Sequence, residues 1–186
     1  YLSIAALIAM LLNLSAEYYT LSWLKYITKP LVMVFIMVLA WQNPASLQGY
    51  KALILVALIF STAGDIFLML PQDLFLGGLI SFLIAHLFFS AAMAEHLQPE
   101  IASFLWFLPF LVYGSFILYL LLPRLKKSLK IPVAAYVLVI MNMGFVTLLH
   151  RNDQPGFFSN LALLAAILFI FSDSCLAFNR FHTPFS

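Results

Sequence analysis

Two aspartates stand where a carboxyl group is expensive. Asp65 lies in FSTAGDIFLML, Phe60 to Leu70, inside an apolar run long enough to cross a bilayer, and Asp173 lies in FSDSCLAFN within a second run, Leu161 to Asn179. No other apolar segment of the sequence holds an acid in its interior. A charged group near the membrane centre costs roughly 3 kcal/mol or more, so an intramembrane Asp is a functional-site candidate by default. Two such acids can act as an acid and base pair, one donating a proton while the other, ionised, stabilises developing positive charge and orients water. The same pair could instead carry protons through a small transporter or channel. Three further polar residues belong with them in the apolar segments or at their ends: His86, Asn142 and Lys29.

The elements that must position these residues are membrane helices. The chain has 186 residues, of which 65% are hydrophobic and only 9% charged, and its mean hydropathy is +1.06. A soluble domain needs far more surface charge. The pattern predicts an all-α, polytopic transmembrane helix bundle forming a single domain over residues 1–186, with seven spans at Tyr1 to Leu14, Pro30 to Gln42, Ala52 to Leu70, Leu74 to Ala94, Ile101 to Leu122, Ile131 to Leu149 and Phe157 to Asn179. The second span, short as written, is expected to draw its start from Trp23 to Thr28. Turn chemistry separates the spans at Asn43-Pro44, Pro71-Gln72-Asp73, Gln98-Pro99, Pro123, Pro132 and Asn152 to Gly156. The links are short, which implies antiparallel neighbours. An eighth helix is expected beyond Ser186.

Seven spans place Lys25, Lys29, Arg124, Lys126, Lys127, Lys130 and Arg180 on one side of the membrane, against Lys51 and Arg151 on the other. The first side is therefore expected to be cytoplasmic. At about 1.5 Å of rise per residue, Asp65 lies about 7 Å and Asp173 about 10 Å from the cytoplasmic ends of their helices, and His86 and Asn142 about 16 Å, near the midplane. The expectation is one cavity open to the cytoplasmic leaflet, with the acids partway down, His86 and Asn142 at its floor and Lys29 at its mouth.

Lys29-Pro30 opening the second helix, Gly64-Asp65 with Leu68-Met69-Leu70, Gly78, Ala85-His86-Leu87, and Ser172-Asp173-Ser174 followed by Asn179-Arg180-Phe181 resemble, in order and spacing, the lysoplasmalogenase (YhhN) family. The resemblance runs from the second helix to the end of the chain, with Phe89 standing where a Tyr is often expected. It implies an eight-helix membrane hydrolase that cleaves the vinyl ether bond of lysoplasmalogens, releasing a fatty aldehyde and a glycerophospho-alcohol, in a bacterial inner (plasma) membrane. A vinyl ether is hydrolysed by protonating its β-carbon; water captures the resulting oxocarbenium ion, and the hemiacetal collapses to aldehyde and alcohol. The scheme parallels the carboxyl pair of glycosidases, whose transition state is also oxocarbenium-like, and it requires no metal or other cofactor. On this reading Asp65, Asp173 and His86 are the catalytic candidates. Lys29, Asn142, Asn179 and Ser172 are the substrate-binding candidates, with Lys29 on the lysophospholipid phosphate and the alkyl tail in a Phe- and Leu-rich floor. Lys29→Met is then expected to lose affinity more than rate.

Each residue also has a structural explanation. Asp65 could serve helix packing, Asp173 could pair with Arg180 two turns on, His86 could be satisfied by Ser90 on its own face, and Asn142 could be a packing amide. Lys29 could simply snorkel to the interface, Asn179 could cap its helix, and Ser61, Ser172 and Ser174 could bond their own backbone. Other function classes fit less well. A net charge of +2 gives no nucleic-acid footprint, and the single cysteine, Cys175, permits neither an intramolecular disulfide nor a Cys/His zinc pattern. No GxSxG elbow supports a Ser90 triad, one intramembrane His is thin ligation for a zinc site with the two acids, and the last span has no lysine for a retinal Schiff base. A transporter should show internal repeats and paired broken helices, which the sequence does not display.

Overall fold

A computed structural model of the chain describes residues 8–12, 15, 22–43, 48–72, 74–95, 97 and 101–181. From Ser22 onward the described α-helices are α1 (Ser22–Gln42), α2 (Gln48–Met69), α3 (Phe75–Ala94), α4 (Leu108–Leu121), α5 (Lys127–Asp153) and α6 (Phe157–Phe181), with a 3-10 helix, Ile101–Phe107, leading into α4. Among the described residues there is no strand. Five segments among the described residues are long and apolar enough to cross a membrane, Gln48–Met69, Phe75–Ala94, Ser103–Leu121, Lys127–Asp153 and Phe157–Phe181, and a shorter apolar helix spans Tyr26–Gln42. The expected span Tyr1 to Leu14 falls largely outside the described residues; positions 8–12 and 15 are helical. Large apolar side chains cover the outer faces, Phe158 at 83% and Ile131 at 81% exposure. Water would penalise so much bare hydrocarbon, whereas lipid accepts it. The chain is an all-α, multi-pass membrane protein.

The element boundaries differ from expectation at two prolines. Pro132, read as loop punctuation, lies inside α5. It sits near the helix start, where losing one backbone donor to Ser128 is tolerated, so the helix runs on to Asp153, itself expected in a loop. The span expected as one helix from Ile101 is instead 3-10 up to Phe107 and α from Leu108, with Pro109 in the first turn of the α segment. A proline there cannot donate to the carbonyl four residues back, so the α pattern has to start anew at that point.

The chain divides into two compact units, Tyr1–Phe88 and Phe89–Ser186. In the first, the Tyr26 hydroxyl donates to the Met69 carbonyl (2.8 Å), Lys29 pairs with Asp65 (2.8 Å) and Lys51 Nζ donates to the Trp41 carbonyl (3.0 Å). Numbers that rise on α1 while they fall on α2 define an antiparallel hairpin. On its other side α2 meets α3 through two glycines. A Cβ at Gly64 would stand 2.7 Å from the Phe82 ring, and one at Gly78 would stand 2.7 Å from Leu68 Cδ2 and 3.4 Å from the Gly64 carbonyl oxygen. Small residues let membrane helices approach backbone to backbone, where dispersion replaces the missing hydrophobic drive.

The second unit packs α4 and α6 on α5. Gly144 of α5 receives Phe110 from α4 and Ile170 from α6, both within 2.7 Å of where its Cβ would lie. Phe145 packs on Phe107 with ring centroids 5.0 Å apart. The α5–α6 link is held by its own polar groups: the Ser159 hydroxyl donates to the carbonyls of Gln154 (2.7 Å) and Gly156 (3.0 Å), and Arg151 Nε donates to Asn160 Oδ1 (2.9 Å). Inside the helices Thr28, Thr62, Thr147 and Ser174 donate to the carbonyl four residues back, which satisfies hydroxyls that lipid cannot.

Candidate active site

Both intramembrane acids are engaged by a specific side chain, each within its own unit. In the first unit α1 and α2 bring Lys29 Nζ to 2.8 Å from Asp65 Oδ1, with the Lys29 side chain 41% and the Asp65 side chain 19% exposed. Lys29-Pro30 does not open the helix as expected: α1 starts at Ser22 and runs through Pro30, and Lys29 lies on the hairpin seam. At Gly64, the neighbour of Asp65 in sequence, a Cβ would stand 2.7 Å from the Phe82 ring of α3. The Gly64-Asp65 pair thus combines two jobs one residue apart: the glycine admits α3 on one face of α2, and the aspartate turns to α1 on another, as a step of about 100° per residue requires.

His86 lies in the same unit, on α3. It is 1% exposed, among the most buried large side chains of the protein, and its ring stacks on Phe82 with centroids 6.5 Å apart. Phe82 is also the ring that closes over Gly64. Gly64 of α2 and Phe82 and His86 of α3 therefore form one packed seam between the two helices. Ser61, one turn before Asp65, is buried with no hydrogen-bond partner for its hydroxyl among the described residues.

In the second unit the Tyr136 hydroxyl of α5 donates to Asp173 Oδ2 of α6, and one residue further the Tyr113 hydroxyl of α4 donates to Ser174 Oγ (3.0 Å), which in turn donates to the Ile170 carbonyl (2.8 Å). Three helices thus converge on the Asp173-Ser174 dipeptide. Ser172 and Asn179 lie on exposed faces of α6, Ser172 beside the exposed Phe171, while Asn142 is half-buried on α5. Ser172 and Asp173 cannot share a face, because consecutive helical residues point about 100° apart. Among the described residues no group of three His, Cys, Asp or Glu side chains could hold a metal ion.

Sequence reasoning named Lys29, Asp65 and Asp173, and the structure joins the first two directly. It missed Tyr136, Tyr113 and Tyr26. Each reads as one more aromatic in an aromatic-rich chain. The available hint was chemical: a phenol deep in a span must place its hydroxyl on a partner, and a carboxylate on another helix is the strongest acceptor at hand.

Comparison with known proteins agrees with the motifs. The chain matches the YhhN family over residues 24–186. It is 28% identical over 136 residues to the membrane protein YhhN of Escherichia coli O157:H7, covering 72% of this chain and 63% of that one. It is 33% identical over 165 residues to the lysoplasmalogenase TMEM86B of Homo sapiens, covering 88% of this chain and 66% of that one, and 32% identical over 136 residues to human lysoplasmalogenase TMEM86A, covering 70% and 55%. The chain thus spans about two thirds or less of the length of these relatives. No solved structure matches it. With the family match covering all but the first 23 residues, and the motif residues Lys29, Gly64, Asp65, Gly78, His86 and Asp173 built into the seams described above, this chain belongs to the YhhN family of membrane proteins.

Proposed function

We propose that the protein is a membrane-embedded lysoplasmalogenase-like hydrolase, which adds water across the vinyl ether bond of a lysoplasmalogen and releases a fatty aldehyde and a glycerophospho-alcohol. The observation that carries the reading is that each of the two intramembrane acids is held by a dedicated partner, Asp65 by Lys29 and Asp173 by Tyr136. The similarity to human proteins named lysoplasmalogenase supports the reaction class.

One carboxyl gives its proton to the β-carbon of the vinyl ether, and the electron pair of the double bond forms the new C–H bond. The adjacent carbon becomes an oxocarbenium ion, which the second carboxylate stabilises. Water adds to that carbon and gives up a proton to a carboxylate. The hemiacetal then collapses: its hydroxyl gives up its proton as the C=O bond of the aldehyde forms, the C–O bond to the glycerol breaks, and the departing oxygen takes up a proton from a carboxyl to leave as the alcohol. The protein's share is placement: charged groups fixed before the reaction starts stabilise the cation without having to reorganise. An ammonium has three donors and Asp65 takes one, so Lys29, 41% exposed, can also meet a phosphate oxygen. His86 joins the acids as a catalytic residue, and Asn142, Ser172 and Asn179 contact substrate. The excess of Lys and Arg on one side sets that side, and the substrate entrance, toward the cytoplasm of a bacterial inner membrane.

The test is release of fatty aldehyde from a panel of lysoplasmalogens by purified protein in detergent. Asp65→Asn and Asp173→Asn are each expected to abolish release while eluting and melting as folded protein. Near-normal turnover in either variant would sink the carboxyl mechanism. A wild type that yields no aldehyde but moves protons across sealed vesicles would transfer the acids to a transporter.

A further inference from the structure

The Asp173 carboxylate does not stand alone on α6. Tyr136 is 8% exposed and lies on α5, where Val133, Val137, Ile140 and Met141 are also buried. A tyrosine has only two side-chain torsions, so burial of the ring narrows where its hydroxyl can lie, and here it lies on Asp173 Oδ2. The next residue of α6 is fixed independently, since Ser174 takes a hydrogen bond from Tyr113 of α4 and gives one to Ile170. About two turns along α5 from Tyr136, Gly144 admits Phe110 and Ile170 to the α5 surface. Rotation of α6 about its axis would break contacts to two other helices together, and a change of Asp173 rotamer would break its bond to Tyr136.

Resting on the hydrolase reading above, we propose that Tyr136 is the positioning residue of the reaction: its phenol fixes the Asp173 carboxyl group in the orientation from which it exchanges a proton with the substrate. Tyr136 touches no reacting atom; it acts through Asp173. Its loss therefore changes kcat rather than KM and changes how accessible the Asp173 carboxyl is to a carboxyl reagent.

The experiment compares wild type with Tyr136→Phe, which keeps the ring and removes the donor. Turnover of lysoplasmalogen is expected to fall about tenfold or more in kcat, with KM and melting temperature close to wild type, the size expected when a charge-assisted hydrogen bond that sets a reacting group is lost. In parallel, isolated membranes are labelled with dicyclohexylcarbodiimide and the peptides containing Asp173 and Asp65 are followed by mass spectrometry. Labelling of Asp173 should accelerate in Tyr136→Phe, its oxygen no longer covered by the phenol, while labelling of Asp65 serves as the reference and stays constant. Unchanged kcat together with unchanged Asp173 labelling overturns the role of Tyr136 and leaves the hydrolase reading standing. A wild type that releases no aldehyde overturns both. If the Phe variant does not fold, 3,5-difluorotyrosine at position 136 decides: ring and donor remain and only the phenol's acidity changes, so a kcat equal to wild type overturns the proposal and an altered kcat supports it.

Discussion

Replacing Lys29 by Met asks how much the first unit depends on its ion pair. At 2.8 Å the Lys29–Asp65 attraction is about 6 kcal/mol gross for an effective dielectric of about 20. Much of that is offset, because the pair gave up solvation to form and the Lys29 side chain is still 41% exposed. Exposed pairs contribute about 0–1 kcal/mol, and breaking a fully buried pair by removing one partner costs about 3–5 kcal/mol. With Asp65 at 19% exposure the pair falls between, so Lys29→Met should destabilise the protein by about 1–3 kcal/mol. The sharper expectation is the double variant Lys29→Met with Asp65→Asn. Removing both charges leaves no carboxylate stranded, and the double should be more stable than Lys29→Met alone. Denaturant or thermal unfolding in a fixed detergent measures both, and Lys29→Arg should retain most of the stability. If Lys29→Met unfolds like wild type, or the double loses the sum of the single losses, the pair is not what joins α1 to α2. The same geometry revises the kinetic expectation. Sequence alone assigned Lys29 to the phosphate, with affinity suffering most; an ammonium shared with Asp65 should lower kcat as well.

Three further outcomes follow from the packing. Gly64→Ala drives a methyl to 2.7 Å from Phe82 and should cost about 1–3 kcal/mol in the same unfolding assay, with Phe82→Leu restoring part of the loss. Gly144→Ala meets Phe110 Cε1 at 2.6 Å and Ile170 Cδ1 at 2.7 Å; it should destabilise by a similar amount, about 1–3 kcal/mol, and Phe110→Leu should relieve it. His86→Phe keeps a ring against Phe82 and removes both ring nitrogens, so aldehyde release is expected to fall by about a hundredfold while the melting temperature holds, and unchanged release would assign His86 to packing alone.

Most of the spans were legible because lipid imposes one rule: every backbone group must be satisfied within its own helix, so a long apolar run with few charges can be little else. The same rule explains why the boundaries at Pro109 and Pro132 were not. Proline marks a missing donor, and whether that ends a helix depends on its distance from the helix start and on the packing around it, since α1 runs through Pro30. Pro132 came early enough in α5 to be absorbed, and Pro109 came where the chain restarts from 3-10 to α. Gly64 and Gly78 were visible as motif letters, yet their work, admitting Phe82 and Leu68 to the α2–α3 seam, depends on which faces meet.

The sequence by itself determined that this is an all-α membrane protein, which polar side chains need a partner in lipid, and the family to which the chain belongs, since these follow from residue type and order along the chain. Only the tertiary structure decided the partners: that the Lys29 ammonium sits on Asp65 and that the Tyr136 phenol sits on Asp173. A side chain's need for a partner is a local property of its chemistry. Which group meets that need is set by the rotation and register of packed helices, and 37 residues separate Tyr136 from Asp173 along the chain.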